Sequence, residues 1–237
     1  MSIRQRPILF LGLMISLLLF ALIFAANHSS AENAPTTSFT ATPEPPAPIN
    51  TAAATAGIRY RLDAGQSKFN VHVLVGGLLS SFGHNHNIAI RDFSGEADLT
   101  PNAIAPASLQ MTIKADSLTV LDKVSASDKQ EIEAKMRNEV LETGQHPSII
   151  FKSTSISANP TGEGQYEVQI WGDVAMHGVS KSIWFKAEMN LSGNSLRTKG
   201  EFALRQSDFK IKPVSAAGGT IKVKDELKFT FEIVAVK

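Results

Sequence analysis

Histidines are the residues of this 237-residue chain whose type and spacing come closest to functional chemistry. His84 and His86 are the tightest pair, and residues at i and i+2 of an extended strand lie on the same face. Two imidazoles on one face can chelate a metal ion, and His72 or His177 would supply the third ligand of a catalytic zinc site. Two other interpretations stay open: the pair hydrogen-bonds within a turn, or it binds the polar or anionic head of a ligand at a cavity mouth.

The other reactive side chains do not form a catalytic arrangement. The chain has no cysteine, which excludes disulfides, thiolate metal sites, cysteine nucleophiles and iron–sulfur clusters. Ser80 and Ser81 lack the flanking glycines of a nucleophile elbow, and no glycine-rich phosphate loop is present. We therefore expect a protein that is not an enzyme, with no catalytic residue, no cofactor and no bound metal.

The charge distribution argues against a nucleic-acid partner. The chain has 23 Lys and Arg residues against 22 Asp and Glu residues, so it is close to neutral. The basic residues are scattered and form no run of five or six, which is the pattern that a nucleic-acid-binding surface would need.

The N-terminus has the pattern of an export segment. Arg4 and Arg6 precede an uncharged apolar run at residues 8–26. The run is close to the ~20 residues that cross a bilayer as a helix, whereas Ser29 and Ala31 suit the −3 and −1 positions of a cleavage site. Residues 1–31 are therefore predicted to be a signal peptide or a membrane anchor. Because basic residues stay in the cytoplasm, the rest of the chain is expected in the periplasm or cell envelope.

The next segment separates this N-terminus from a folded domain. Residues 32–57 are rich in Pro, Ala and Thr and have almost no large apolar side chains, so they cannot bury enough surface to fold. We expect a disordered, semi-rigid linker, followed by a single domain at residues 58–237.

Residues 58–237 have the alternation of an antiparallel β-protein. Residues 166–176 and 179–191 alternate apolar and polar side chains on either side of His177 and Gly178, which predicts one long hairpin. Further alternating runs bring the total to about eight or nine strands. One amphipathic helix is expected after Ser127, which has capping-box spacing to Gln130. Many antiparallel strands with one helix favour a closed, lipocalin-like barrel of about eight strands, because closure removes sheet edges.

The apolar phase of these strands should line the barrel interior. An eight-stranded barrel can hold one small ligand, and its pocket would be predominantly apolar. The same residues could instead fill the core solidly, and the sequence does not separate these two outcomes. The predicted lipid-binding residues are Val71, Val73, Ile88, Ile90, Leu109, Met111, Ile113, Phe151, Ile170, Val174, Phe185, Met189, Phe202, Phe229 and Phe231.

Five short motifs in this order resemble the YceI-like family of bacterial envelope proteins. The resemblance implies a lipocalin-like barrel that holds a long isoprenoid chain. Many members have Gly where this chain has Lys210, and only part of the family has the pair His84 and His86. The motifs are Asp63-x-x-x-Ser67-x-Phe69-x-Val71, Phe93-Ser94-Gly95, His146-Pro147-x-Ile149-x-Phe151-x-Ser153, Met176-His177-Gly178-Val179-Ser180-Lys181 and Asp208-Phe209.

The pattern and the resemblance together predict an exported envelope protein that carries or sequesters a long-chain isoprenoid or similar lipid. An uncleaved N-terminal helix would make the inner membrane a second partner, and a homodimer stays open. One alternative is a metal-binding protein or metal-dependent enzyme that uses His84 and His86. The other is an interaction module with a filled core and no ligand.

Overall fold

The computed structural model describes residues 57–77, 84–100 and 107–237. Those residues form eleven strands and one helix, and every strand pairing is antiparallel. In chain order the elements are β1 (Ile58–Gly76), β2 (His86–Ile90), β3 (Phe93–Leu99), β4 (Ala107–Lys114), β5 (Leu118–Val120), α1 (Ala126–Lys135), β6 (Ser148–Gly162), β7 (Gln165–Met176), β8 (Val179–Ser192), β9 (Ser195–Arg205), β10 (Ser215–Ala216) and β11 (Ile221–Val236).

Eight of the strands close into a barrel. The ring runs β11-β9-β8-β7-β6-β4-β3-β1, and β1 pairs with β11 to complete it. Closure gives every strand of the ring a neighbour on both sides, which is how an antiparallel sheet avoids edge strands. The remaining strands β2, β5 and β10 extend the sheet outside the ring. The predicted lipocalin-like barrel of about eight strands with one helix is confirmed.

The long hairpin follows the predicted register. Tyr166 pairs with Met189, and Met176 pairs with Val179. The two turn residues both have positive φ, 51° at His177 and 71° at Gly178, as a tight hairpin turn requires. Side chains such as Val168 and Phe185 are therefore buried inside the barrel, while their sequence neighbours face outward.

Strand β1 is longer than the sequence pattern indicates. Its Asp63-Ala-Gly sequence is a turn signal, but β1 continues through it with a bulge between Asp63 and Lys68. The bulge is held by local contacts, because the Asp63 carboxylate accepts from the Gln66 amide at 3.1 Å and the Ser67 hydroxyl donates to the Asp63 carbonyl at 2.6 Å. The predicted turn is therefore a bulge that bends one continuous strand.

Strand β1 also changes partner along one edge. Its first residues pair with β3, as Arg59 does with Asp98. Residues 70–73 pair with β2, as Val71 does with Ile88. The strands β2 and β5 therefore form a flap beyond the ring at this end of β1.

The helix packs at the same end as the flap. Met136, like Ile132, packs against a buried cluster that includes Ile88, Val120 and Leu141. The Glu133 carboxylate accepts from the Val120 amide at 3.0 Å and so ties α1 to β5.

The start of the helix differs from the prediction. The N-cap is Ser125, whose hydroxyl accepts from the Asp128 amide at 3.1 Å, and Ser127 lies inside the first turn. Both serines precede the apolar positions of the helix. The predicted N-cap, Ser127, is therefore two residues later than the observed one, Ser125.

Several predictions fall outside the described residues. They are the signal peptide or anchor at residues 1–31 and nearly all of the linker at residues 32–57. Within the described ranges, no helix combines the length and apolar character needed to cross a membrane.

Candidate functional site

The interior of the barrel holds an apolar cavity of about 150 Å³. It is lined by 27 described residues, of which Ser108 and Thr198 are the two with polar side chains. Lining residues come from both halves of the barrel, for example Ile113 beside the helix end and Leu196 toward the opposite end. An interior of this kind offers dispersion contacts to a ligand and almost no hydrogen-bonding groups.

Twelve of the fifteen predicted residues line this cavity. They alternate along strands β4, β6, β7, β8, β9 and β11, with Ile90 contributed by β2. The structure shows that these residues line the cavity, and their contact with a lipid stays a prediction. The twelve are Ile90, Leu109, Met111, Ile113, Phe151, Ile170, Val174, Phe185, Met189, Phe202, Phe229 and Phe231.

The other three predicted residues do not line the cavity. Val71 and Ile88 are buried in the cluster beside the helix, and Val73 packs against that cluster. Val71 pairs with Ile88 in the flap between β1 and β2, which lies beyond the ring. These three side chains point inward as predicted. At the helix end of the barrel, however, the side chains of the flap and the helix pack against each other and fill the interior.

Fifteen further residues line the cavity and were missed. Most share the phase of residues that were predicted, as Phe69 does with Val71 and Val168 does with Ile170. The same alternation could have found them. The full set is Leu62, Phe69, Ala97, Leu99, Ala107, Ser108, Ile149, Ile156, Val168, Met176, Ile183, Leu196, Thr198, Leu204 and Ile233.

Six phenylalanine rings shape the middle of the cavity. Phe202 stacks on Phe229 with ring centroids 4.7 Å apart, and on Phe185 at 5.1 Å. Phe69, Phe151 and Phe231 complete the cluster, and all six rings line the cavity. Offset and edge-on ring contacts of this kind add to the burial energy of the side chains. The cluster narrows the cavity, which therefore suits a slender ligand.

The wall of the barrel is incomplete between β4 and β6. Their ladder has five pairs and ends at Gln110 and Lys152, although β4 stays paired with β3 as far as Ala107. The Ser153 hydroxyl replaces the next backbone partner, since it accepts from the Leu109 amide at 2.8 Å. Beyond it the two strands separate into a slot, which we call the β4–β6 slot.

At the β4–β6 slot, the cavity and a polar depression of the outer surface share two lining residues. The cavity lining includes Ala107, Ser108 and Leu109 on one side of the slot and Ile156 on the other. Ser108 and Leu109 also border a depression on the outer surface, and that depression is further lined by Arg59, Glu96, Asp98, Lys152 and Ser153. An apolar interior therefore meets a charged outer surface at this place.

Ion pairs order this outer surface. The Arg59 guanidinium donates to the two carboxylate oxygens of Asp98 at 2.8 and 3.1 Å, and it also pairs with Glu96 at 3.0 Å. The hydrogen bond with Asp98 is the main reason that the pKa of Arg59 is raised above its usual value. Lys152 also borders this depression, and among the described residues it forms no ion pair with an acidic side chain.

The histidines predicted to recognise a head group lie at the other end of β1. His86 pairs with Val73 near the end of β1, whereas the slot lies beside Leu99, which pairs with Ile58 at its start. His84 is exposed, and neither His84 nor His86 lines the cavity. The head-group role of this pair stays a prediction.

Contacts of His86 and His72 fix strands rather than a ligand. The His86 Nδ1 lies 2.8 Å from the Asp122 carboxylate, which also accepts from the Asn87 amide at 3.1 Å. His72 lies between Asn87 and Thr230, at 2.6 and 3.1 Å.

The alternative of a metal site built on His84 and His86 finds no third ligand among the described residues. In the described part of the chain, the group of three side chains able to share a metal ion consists of Glu142, His146 and His177. It includes none of His72, His84 or His86, and none of its members lines the cavity.

Known proteins share this sequence pattern and this fold. The family model of the YceI-like domain matches residues 60–235. A UPF0312 protein of Pseudomonas putida (strain GB-1) is 25% identical over 181 residues, which cover 73% of this chain and 88% of that protein.

Two solved structures have the same fold. BcnA of Burkholderia cenocepacia superposes with a TM-score of 0.56 at 18% identity, covering 74% of this chain and 99% of BcnA. A polyisoprenoid binding domain from Saccharophagus degradans, implicated in plant cell wall breakdown, gives a TM-score of 0.54 at 14% identity, covering 75% of this chain and 97% of that domain.

Proposed function

The chain belongs to the YceI-like family, and we propose that its barrel binds the hydrocarbon chain of a lipid, specifically an isoprenoid chain, in the interior cavity. The observation that carries the proposal is the lining, in which 25 of 27 residues have apolar side chains. The description of the Saccharophagus degradans relative as a polyisoprenoid binding domain supports the choice of lipid.

Burial energy favours a hydrocarbon over a polar ligand. Apolar surface removed from water contributes about 25 cal/mol per Å², and a hydrocarbon has no hydrogen-bonding group to leave unpaired. A polar metabolite would lose about 1–3 kcal/mol for each buried donor or acceptor without a partner. Ser108 and Thr198 are too few to satisfy such a ligand.

The β4–β6 slot gives the chain a route into the interior. A lipid threaded through it would keep its polar head on the outer depression, beside Lys152 and Ser153. Its tail would pass Leu109 and Ile156 toward the phenylalanine cluster. This arrangement competes with the head-group role of His84 and His86, because the two places lie at opposite ends of β1.

We place this activity in the periplasm or cell envelope, as a carrier or sequestering protein without catalytic activity. The basic and then apolar N-terminal pattern supports export. An isoprenoid chain is almost insoluble in water, so a protein that moves or stores it between membranes must shield it. A closed barrel does this with a neighbour on both sides of each of its eight strands.

The interaction module with a filled core is the competing function. It is favoured by the stacking of Phe202 between Phe185 and Phe229, which occupies the middle of the barrel. A module of this kind would present its outer face to a partner, and Trp184, 59% exposed, lies there. The two functions differ in whether the interior takes up a chain.

A loading experiment separates them. The delipidated full-length chain is incubated with a long-chain polyprenol in detergent, and the lipid that stays bound through gel filtration is measured by mass spectrometry. We expect Ile156→Trp, which fills the inner side of the slot, to reduce the load about tenfold, a loss of about 1.4 kcal/mol in binding. Ser157→Trp is the matched control, because Ser157 is the exposed neighbour.

The control should load like the wild type. No uptake by the wild type, or equal loads in both tryptophan variants, would reject a chain bound through the slot.

A further inference from the structure

Three potential metal ligands meet at the helix end of the barrel, apart from the cavity. Glu142 and His146 flank one tight turn, in which the Gln145 and His146 amides donate to the Glu142 carbonyl at 2.8 and 2.9 Å. His177 reaches them from the turn between β7 and β8. The ligand atoms of all three lie within 4.8 Å of one another.

The geometry is compact enough for one ion. His177 Nε2 is 2.8 Å from the Glu142 carboxylate, and the rings of His146 and His177 have centroids 4.7 Å apart. Tetrahedral ligands at about 2.0–2.1 Å from zinc are separated by about 3.3 Å. The Glu142 side chain is 40% exposed and so has room for the small shift that this needs.

The hydrogen bonds of His177 favour a cation between it and Glu142. Its Nδ1 faces the Phe209 carbonyl at 3.2 Å and its Nε2 faces the Glu142 carboxylate at 2.8 Å, and both partners are acceptors. A neutral imidazole has one N–H and satisfies one of them, whereas a protonated imidazolium, or an imidazole with a metal ion on Nε2, satisfies both. A metal ion on Nε2 resolves the conflict, because a ligating histidine usually donates its other N–H to a carbonyl or carboxylate.

The backbone places these side chains at some strain. Glu142 and His177 are non-glycine residues in the left-handed region, with φ of 46° and 51°. The His146 ring lies against Gly178, where a Cβ would stand 3.2 Å from His146 Cε1. A glycine at this position therefore leaves room for the second imidazole beside the first.

We propose that Glu142, His146 and His177 bind one divalent transition-metal ion. Two imidazoles and a carboxylate are ligands that zinc accepts, with water in the open position. The ion would join the connection that follows the helix to the β7–β8 turn, and through Nδ1 of His177 to the segment that carries Phe209. It would therefore fasten the helix end of the barrel. This site does not depend on the nature of the lipid.

The test is zinc binding by the full-length chain, purified without a histidine tag and stripped with a chelator. Calorimetry and metal analysis after gel filtration should give about one zinc per chain. We expect His146→Ala and Glu142→Gln to weaken zinc binding at least tenfold, because even the loss of a group that hydrogen-bonds to a ligand costs about 10–100-fold. His84→Ala is the matched control and should bind zinc normally, because His84 is exposed and outside the cluster.

Thermal unfolding with and without zinc distinguishes variants that have lost the zinc site from variants that are simply less stable. Zinc should raise the unfolding temperature of the wild type and of His84→Ala, and leave His146→Ala unchanged. Glu142→Gln keeps a hydrogen-bonding group beside His177, so its fold should survive without metal. The proposal is overturned if the wild type binds no more zinc than His146→Ala, or if zinc stabilises all variants equally.

Discussion

Phe151 and Phe231 reach into the barrel over glycines of the neighbouring strands, Gly200 directly opposite Phe231 and Gly172 diagonal to Phe151. A Cβ on Gly172 would lie 2.5 Å from Phe151 Cζ and 2.5 Å from the Lys152 carbonyl. On Gly200 it would lie 2.8 Å from Phe231 Cζ. The phenylalanine cluster that narrows the cavity therefore depends on two glycines inside strands, where glycine otherwise weakens a sheet.

Gly172→Ala should destabilise the barrel. The added methyl group meets a backbone carbonyl and a ring that cannot both move, and overpacking of this kind costs about 1–3 kcal/mol. Urea unfolding of the purified chain measures the loss. Gly144→Ala is the control, because a Cβ there meets nothing within 4 Å. Equal stability of the two variants would mean that the rings at Gly172 repack freely.

His86→Ala tests whether this histidine serves the fold or the ligand. Its contact with Asp122 joins β2 to the residues after β5, so we expect a lower unfolding temperature with unchanged polyprenol load. His84→Ala, which removes an exposed side chain, should change neither quantity. A stable His86→Ala protein that fails to retain lipid would instead support head-group recognition.

Among the secondary-structure elements, the sequence predicted those that are determined by residues close together in the chain. The alternation before and after His177 gave the β7–β8 hairpin with its turn, because strand phase and turn chemistry are both encoded within a few residues. The bulge at Asp63 and the slot beside Ser153 were not predictable in this way. Local contacts at Asp63 do not by themselves separate a bulge from a turn, and pairing with a distant strand decides it, as the Ser67 hydroxyl shows by accepting from the Val234 amide. The slot likewise depends on a distant contact, since the Ser153 hydroxyl accepts from the Leu109 amide.

The β4–β6 slot makes a prediction for hydrogen exchange. Residues 148–152 of β6 are paired with β4, whereas residues 155–162 are paired with β7 alone. Peptides from the second range should therefore exchange faster than peptides from the first in the lipid-free protein. Bound polyprenol should slow them selectively. Equal protection of the two ranges without lipid would indicate that the wall is closed there.

Asp225 links acid stability to the segment that carries Phe209. The Ser207 hydroxyl donates to its carboxylate at 2.5 Å, and the Ser207 amide donates at 2.8 Å. These bonds lower the pKa of Asp225 below its usual value of 3.8. A lowered pKa in the folded state means that the stabilisation is present above that usual value and is lost as the pH falls through the folded-state pKa.

Asp225→Asn should therefore unfold at a lower temperature than the wild type at pH 7. Asp225 is largely solvated, so the expected difference is about 1–3 °C. The difference should shrink as the pH falls well below 3.8. Glu226→Gln, at the exposed neighbouring position, serves as the control in the same melting series. A difference that stays constant from neutral to acid pH would contradict the role of the charge.

For the molecule as a whole, the sequence predicted the closed barrel better than the packing of the side chains inside it. Closure of eight strands follows from inward alternation repeated along the chain. Whether the inward side chains leave a cavity depends on how rings from different strands stack, as Phe202 does on Phe229. Such contacts join residues that no local pattern relates. The proposed site of Glu142, His146 and His177 was missed for the same reason, since His177 meets the other two only in the folded barrel.

We propose above all that the barrel carries an isoprenoid chain inside it. The most direct measurement is quantitative mass spectrometry of an organic extract of the full-length protein, purified from cell envelopes without added lipid. We expect an isoprenoid lipid at close to one molecule per barrel in the wild type, and little of it in Ile156→Trp. A wild-type protein that carries no more apolar lipid than Ile156→Trp would contradict it.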